Sequence, residues 1–238
     1  MKRYFITGTD TDAGKTLISS ALLQKAQQRG LTTFGLKPVA AGCELANGDN
    51  DKQWQNEDAQ LLRQYSTEQQ AYEVHNPIAL QAAIAPHIAA EMENTSLTKN
   101  SLLAACQPGL QTAADFQLVE GAGGWLVPLN YDETLADFAG ELHAEVILVV
   151  GLRLGCINHA LLSARIIQNS GCNLVGWVAN SLSENMEAQA GNLAFLKQWF
   201  DKQQISFLGH TPYIPGIDRT DANQLQKITD CLKLADDD

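Results

Sequence analysis

Apolar residues along this chain fall into two alternating patterns. In the first, they follow one another almost without a polar break, as in VILVVG at 146–151. A strand written this way has no face to give to water, which is the pattern of a parallel sheet covered on both sides. Runs of this kind predict strands at 3–7, 33–37, 116–120, 145–150, 174–179 and 206–210. In the second pattern apolar residues return every three or four positions. Residues 15–29 place Leu17, Ala21, Leu22 and Ala26 on one helical face and stop before Gly30, a suitable residue for a helix end. Residues 158–168 and 188–202 read the same way, and a further helix begins near Asp58. Strand and helix in alternation predict an α/β fold of three layers, a mostly parallel central sheet flanked by helices, with residues 1–238 as one domain. The stretch CELANGDNDKQWQN at 43–56 is polar and turn-forming, and a mobile loop is expected there.

Chemistry concentrates where the runs end. ITGTDTDAGKT at 6–16 lies between the first strand and the first helix. In that setting a Gly-Lys-Thr ending reads as a phosphate-binding loop: loop amides and the helix start surround phosphates, Lys15 reaches their terminal oxygens, and the Thr16 hydroxyl can hold Mg²⁺. Counted from Gly8 the loop is G-x5-G-K-T, one residue longer than the usual pattern. It also carries two carboxylates, which phosphate would repel. Asp10 is expected to be a solvated turn former bonding nearby amides, and Asp12 to turn outward or to meet a cationic group such as a substrate amine. Lys37 closes the second expected strand, at the sheet edge where open α/β folds bind ligands, and Pro38 forces an extended departure. The third expected strand ends in Glu120, followed by Gly121, Ala122, Gly123 and Gly124. Glu120 can hold Mg²⁺, and the glycines allow close backbone approach. Asp58 either adds a third metal-facing oxygen or favours its own helix start.

Composition narrows the partners. With 16 Lys and Arg against 27 Asp and Glu, the formal net charge is −11, so no nucleic acid and no polybasic membrane contact is expected. The five cysteines are scattered and form no CxxC pair, which suggests neither a disulfide framework nor a zinc site. The N-terminus passes from Lys2-Arg3 into a short apolar run without a signal-peptide core, and the expected location is the cytoplasm.

The motifs TGTDTDAGKT, LKPVAAGCE, VEGAGGWLVPL, ILVVGLRLGCINHALLSARII and GWVAN stand in the order and spacing of the dethiobiotin synthetases, which this chain resembles over nearly its whole length, more weakly over 43–55 and beyond 183. The resemblance implies a P-loop NTPase fold and an ATP-dependent ligase of biotin biosynthesis. The reaction implied closes a cyclic urea from 7,8-diaminononanoate, carbon dioxide and Mg-ATP, usually in a homodimer. By position, Lys15 and Lys37 match the phosphate and reaction-centre lysines; Thr16, Asp58 and Glu120 match the magnesium-facing residues. Asp12, Ala13, Gly14, Leu17, Gly121, Ala122 and Gly123 fall, with Lys15, Thr16, Asp58 and Glu120, at the nucleotide. Asn180 falls at the adenine, with Ser181 and with Pro212, Tyr213 and Ile214 of TPYIP. Thr11, Asp12, Lys37 and Ala41 fall at the diamine. The amides of Gly155, Cys156, Ile157 and Asn158, at a helix start suited to an anion, fall at the substrate carboxylate across the dimer interface. Three positions depart from the family: Ala41 replaces a frequent serine, Ser181 a frequent aspartate, and Asn192 aligns loosely with a substrate-contacting tyrosine. Two other readings remain open. A partition-type switch ATPase would carry a lysine where this loop has Asp10, and a cobyrinate-type amide synthetase would need a glutaminase domain.

Overall fold

The computed structural model describes residues 2–47 and 52–237. Its centre is a six-stranded sheet formed by β1 (Lys2–Gly8), β2 (Thr33–Leu36), β7 (Phe116–Glu120), β8 (Glu145–Leu152), β9 (Leu174–Ser181) and β10 (Ser206–Thr211). The spatial order is β10-β9-β8-β1-β7-β2, and every pairing is parallel. Two small sheets lie outside it: β3 (Val39–Ala40) beside β6 (Ile78–Ala79), and a hairpin of β4 (Glu44–Asn47) and β5 (Lys52–Gln55).

The unbroken apolar runs divide between two faces. Along β8, Ile147 and Val149 enter a core with α1 (Lys15–Gln28), α2 (Glu57–Gln64) and α9 (Ala222–Thr229). Val146, Leu148 and Val150 enter the opposite core, beside α5 (Lys99–Leu110), α6 (Leu135–Glu141), α7 (Cys156–Asn169) and α8 (Gln189–Lys202). β1 splits likewise, with Tyr4 and Ile6 on the first side and Phe5 on the second. The three-layer, parallel arrangement read from the pattern is therefore the one observed. The short helices α3 (Tyr72–His75) and α4 (Pro86–Met92) come later in the chain than the hairpin, and α3 packs against the edge strand β2. Among the described residues no helix is long and apolar enough to cross a membrane.

One local expectation is corrected. Residues 43–56 do not form an irregular loop throughout: Glu44 faces Gln55 and Leu45 faces Trp54 in an antiparallel ladder. Alternating exposure along Lys52–Gln55 gives the hairpin one half-buried face, which polar composition conceals. Residues 48–51 of the expected loop lie outside the described residues.

The site is positioned by topology. The chain leaves β1 for β2, returns to β7 between them, and then crosses to β8 on the other side of β1. Ligand-binding crevices form at such reversals, outside the carboxyl ends of the strands. Here the register sets Ile6 beside Glu120 and Gly8 beside Val149, so the loop after β1 emerges between two strand ends.

Candidate active site

The loop after β1 is built by short-range hydrogen bonds. Asp10 accepts from the amide of Thr11 (2.8 Å) and starts a 3-10 turn, Thr11–Ala13. This is the turn-forming role expected of Asp10, with an ion pair to Arg153 added. Gly14 then takes φ 93°, and a Cβ there would lie 2.1 Å from Asn180 Nδ2, so backbone strain and lack of space both require glycine. α1 starts at Lys15, whose ammonium folds back to donate to the carbonyls of Asp10 (3.1 Å) and Thr11 (3.0 Å). Burial, with the nearby Lys37 charge second, pushes the Lys15 pKa down to about 8.

Lys37 lies one residue past the end of β2 and is almost wholly buried. Its backbone is fixed from both sides: its amide donates to the His75 carbonyl (2.7 Å), and its carbonyl accepts from Asn76 Nδ2 (2.7 Å). The side chain runs to Glu120 Oε1 (2.6 Å), Asp58 Oδ2 (3.3 Å) and the Gly121 carbonyl (3.3 Å). Burial alone would lower its pKa; Glu120 and Asp58 more than offset that, and the ammonium is held above the ordinary lysine value. Asp58 sits in the first turn of α2, behind the Asn56 cap whose side chain accepts from the amides of Asp58 and Ala59. Burial would raise its pKa, but Lys37, Thr16 and Arg219 bring it below the usual carboxylate range.

Glu120 is 0% exposed, accepts from Thr16 Oγ1 at 2.8 Å through Oε1, and leaves Oε2 without a partner. An orphaned carboxylate oxygen in the interior is costly. Together with the Thr16 hydroxyl and Asp58 it makes a set of hard oxygen donors, and these residues fit a magnesium ion.

These groups belong to a cleft of about 770 Å³. Thr11, Asp12, Gly14, Lys15, Thr16, Leu17, Lys37, Asp58, Ala122 and Gly123 line it, as does Ala41. The rest of the lining is mostly apolar: Ala40, Ala83, Ile84, Ala85, Pro86, Val127 and Pro128. Ala13 and Glu120 are buried, and Gly121 offers its carbonyl to Lys37.

The remaining expected site residues lie elsewhere. Asn180 is buried, donating from Nδ2 to the Ala13 carbonyl (3.0 Å) and accepting at Oδ1 from Thr211 (2.7 Å), so it braces the loop from behind. Ser181 pairs with His210 and accepts from Gln189. Pro212 and Tyr213 are exposed, while Ile214 packs against the α1-side core. Gly155, at φ 91°, precedes α7, and none of residues 155–158 lines the cleft of their own chain; the Cys156 side chain is buried. Sequence reasoning missed Asn56, Arg219 and the apolar part of the lining. Asn56 had a signal, an N-cap residue directly before Glu57-Asp58. Arg219 had none, since only the fold returns it to α2.

Comparison with known proteins agrees with this geometry. Residues 2–221 match the family described as an AAA domain. The ATP-dependent dethiobiotin synthetase of Cellvibrio japonicus is 55% identical over 83% of this chain and 84% of its own length. That of Vibrio parahaemolyticus is 41% identical over 97% of this chain and 98% of its own. Among solved structures, the septum site-determining protein MinD from Pyrococcus horikoshii, complexed with Mg-ADP, aligns with TM-score 0.54 over 95% of this chain and 86% of its own, at 14% identity. That likeness is one of fold. Sequence identity over most of the chain, joined to the loop, the paired lysines and the buried glutamate, shows that the protein belongs to the ATP-dependent dethiobiotin synthetase family.

Proposed function

We infer that the protein closes the cyclic urea of dethiobiotin from 7,8-diaminononanoate, carbon dioxide and ATP. The observation that carries the reading is the buried Lys37–Glu120–Thr16 group, with its orphaned oxygen, beside a cleft lined by both charged and apolar residues. One substrate amine adds to carbon dioxide and loses a proton to give a carbamate. A carbamate oxygen attacks the γ-phosphorus and ADP leaves; the second amine then attacks the carbonyl carbon, losing a proton as phosphate leaves. No protein nucleophile is needed, so positioning and charge carry the rate. Lys15 and Lys37 supply positive charge where carbamate and triphosphate meet, and burial strengthens it. Lys37 is released to that task only when a ligand competes for its carboxylate partners. Thr16, Asp58 and Glu120 would hold Mg²⁺, which neutralises phosphate charge when bound. Thr11 and Asp12, exposed at the cleft mouth, suit the diamine, and the alanine-rich lining suits its alkyl chain. With Ala41 in place of a hydroxyl, that lining gives the substrate no side-chain hydrogen bond there.

Residues 155–158 serve a second copy of the chain in this reading. Their amides start α7 away from their own cleft, and Leu154 (96% exposed) and Leu162 (57% exposed) beside them present apolar surface suited to a homodimer. The adenine would rest near Asn180, Ser181 and residues 212–214. All five cysteines are free thiols, in keeping with a cytoplasmic protein.

Phosphate release that depends on both diamine and bicarbonate, with dethiobiotin found by mass spectrometry, is the expected result. Equal ATP turnover without diamine would favour a switch ATPase instead. Sedimentation and diamine titration over one concentration series test the shared site: a monomer binding diamine as tightly as the dimer would exclude it.

A further inference from the structure

Lys37 and Asp58 form an ion pair at the cleft but come from different elements, Lys37 from just past β2 and Asp58 from the first turn of α2. A string of hydrogen bonds through α3 joins their roots. At the cap of α2, the Asn56 amide donates to Tyr72 Oη (2.7 Å), while the Asn56 side chain accepts from the Asp58 amide (3.0 Å). Tyr72 Oη donates to Asn76 Oδ1 (2.9 Å). Asn76 Nδ2 then donates to the carbonyls of Lys37 (2.7 Å) and Ile78 (3.2 Å). Tyr72 and Asn76 are both buried, and the Asn76 amide closes one helical turn on the Tyr72 carbonyl (2.9 Å), which sets the spacing of the two side chains. The directions are forced. Nδ2 faces two carbonyls, so turning the Asn76 amide over would set its oxygen against both. Oδ1 therefore accepts the Tyr72 proton, and the hydroxyl oxygen is left to accept from Asn56.

We propose that Tyr72 and Asn76 are positioning residues for ring closure, tying the backbone that carries Lys37 to the cap that sets Asp58. A lysine charge rides on a flexible four-carbon stem, so it is placed only as well as its backbone and its partners are. Charge stabilisation without a protein nucleophile depends on that placement, and a shift of about 1 Å at such a centre costs up to about 100-fold in rate. The Lys37 amide keeps its bond to the His75 carbonyl (2.7 Å) when either side chain is cut back, so the loss here should be partial. Neither Tyr72 nor Asn76 lines the cleft, and nucleotide affinity should be nearly untouched.

This inference rests on the dethiobiotin-forming reading. Steady-state kinetics, ADP titration and denaturant midpoints are compared for wild type, Tyr72→Phe, Asn76→Ala, the double variant and Tyr4→Phe. The last is a control: it removes the hydroxyl of a buried tyrosine that donates to Asp236 (2.9 Å), in the half of β1 away from the carboxyl edge. Tyr72→Phe should lower kcat about tenfold, with KM values and ADP affinity changed less than about threefold. Tyr4→Phe should lower the midpoint comparably and leave kcat as in wild type. Because Tyr72 acts through Asn76, the double variant should be no slower than Asn76→Ala. An unchanged kcat in Tyr72→Phe, with or without a raised diamine KM, would overturn the assignment and leave the string a purely structural one. So would an equal fall of kcat in Tyr4→Phe, or losses that multiply in the double variant. Tyr72→Phe keeps the buried ring, so the test stands even where Asn76→Ala does not fold. A wild-type protein that forms no dethiobiotin would instead sink the reading on which the assignment rests.

Discussion

The carboxyl edge of the sheet has two ends built on opposite principles. At β1, β2 and β7, charged groups converge and one keeps capacity to spare: the three donors of Lys37 go to two carboxylates and a carbonyl, but Glu120 Oε2 has no partner at all. At β9 and β10, polar groups are just as buried but tied to one another. Asn180 joins Ala13 to Thr211, and Ser181 joins His210 to Gln189. An orphaned group is stabilised by whatever ligand completes it, whereas a satisfied group must first give something up. Burial alone therefore does not mark a reacting group; an ionisable group left with an unpaired atom among the cleft's charged residues is the sharper mark, as Glu120 is. The open end should answer to mutation in turnover, and the closed end in stability.

The largest effect is expected from Lys37→Ala. Removing a buried charge from the place where carbamate meets triphosphate should lower kcat roughly 100- to 1000-fold while ADP affinity changes only a few fold. Turnover kinetics and nucleotide titration on one preparation would separate the two. A large loss of ADP affinity with kcat unchanged would erase the distinction between the ends.

Gly14→Ala tests the seam where the ends touch. The added methyl meets Asn180 Nδ2 and sits at φ 93°, so about 1–3 kcal/mol of stability should be lost. Asn180→Ala should cost about 1–2 kcal/mol by leaving the Thr211 hydroxyl and the Ala13 carbonyl without that partner. Denaturant midpoints measure both. Combining them should cost less than their sum, because the alanine at 180 makes room for the methyl at 14.

How much of this was legible in the chain follows the same division. Lys37 and Glu120 sit at the ends of mostly apolar runs, and Gly14, Lys15 and Thr16 follow the loop that leaves the first such run; a parallel sheet places such ends together whatever the connections do. All six central strands were readable, although β2 stops at Leu36 and β8 runs on to Leu152. What was hidden depends on contacts far apart in sequence. The β4–β5 ladder pairs residues too polar to announce a strand, and the apolar cleft residues are brought together from four separate segments, 40–41, 83–86, 122–123 and 127–128. Arg219 is 161 positions beyond Asp58 (219 − 58), and nothing local in IDRTD marks it as a cleft residue. The internal bonds of Asn180 and Ser181 were likewise invisible, since a motif names the residue and not its partners.

A smaller effect sharpens the open end. Lys15 titrates near pH 8, with burial the main cause and Lys37 the second. Below that pH it is charged and ready for phosphate. As pH rises through about 8 the free protein gives up the proton, and nucleotide binding must take one back. The apparent dissociation constant for ADP should accordingly rise roughly fourfold between pH 7 and 8.5. Calorimetry in two buffers of different ionisation enthalpy would detect the proton uptake. A flat profile across this range would mean that Lys15 stays charged in the free protein.

The smallest effect is expected at the closed end, and its sign follows from the hydrogen bonds. Gln189 Nε2 can only donate and lies 3.4 Å from His210 Nε2, so that ring nitrogen is an acceptor, and the Ser181 hydroxyl (2.9 Å) donates to it. His210 is thus held neutral; burial, then the Lys197 charge, lowers its pKa below the ordinary histidine value. The unfolded chain takes up a proton at the ordinary value and the native one only at lower pH, so between the two the unfolded state binds more protons. Stability from this residue is present above about pH 6.5 and declines as pH falls through that window. Ser181→Ala removes the donor that favours the neutral ring, lets His210 protonate closer to its usual value, and should flatten the acid limb by a few tenths of a kcal/mol. At pH 7 the same change should cost only about 0.5–1 kcal/mol and move ADP affinity less than threefold. Melting temperatures at pH 5 and 7, compared between wild type and variant, cancel the other titrating groups. A steeper acid limb in the variant would mean that Ser181 accepts from the ring, and that the closed end is less completely satisfied than its geometry implies.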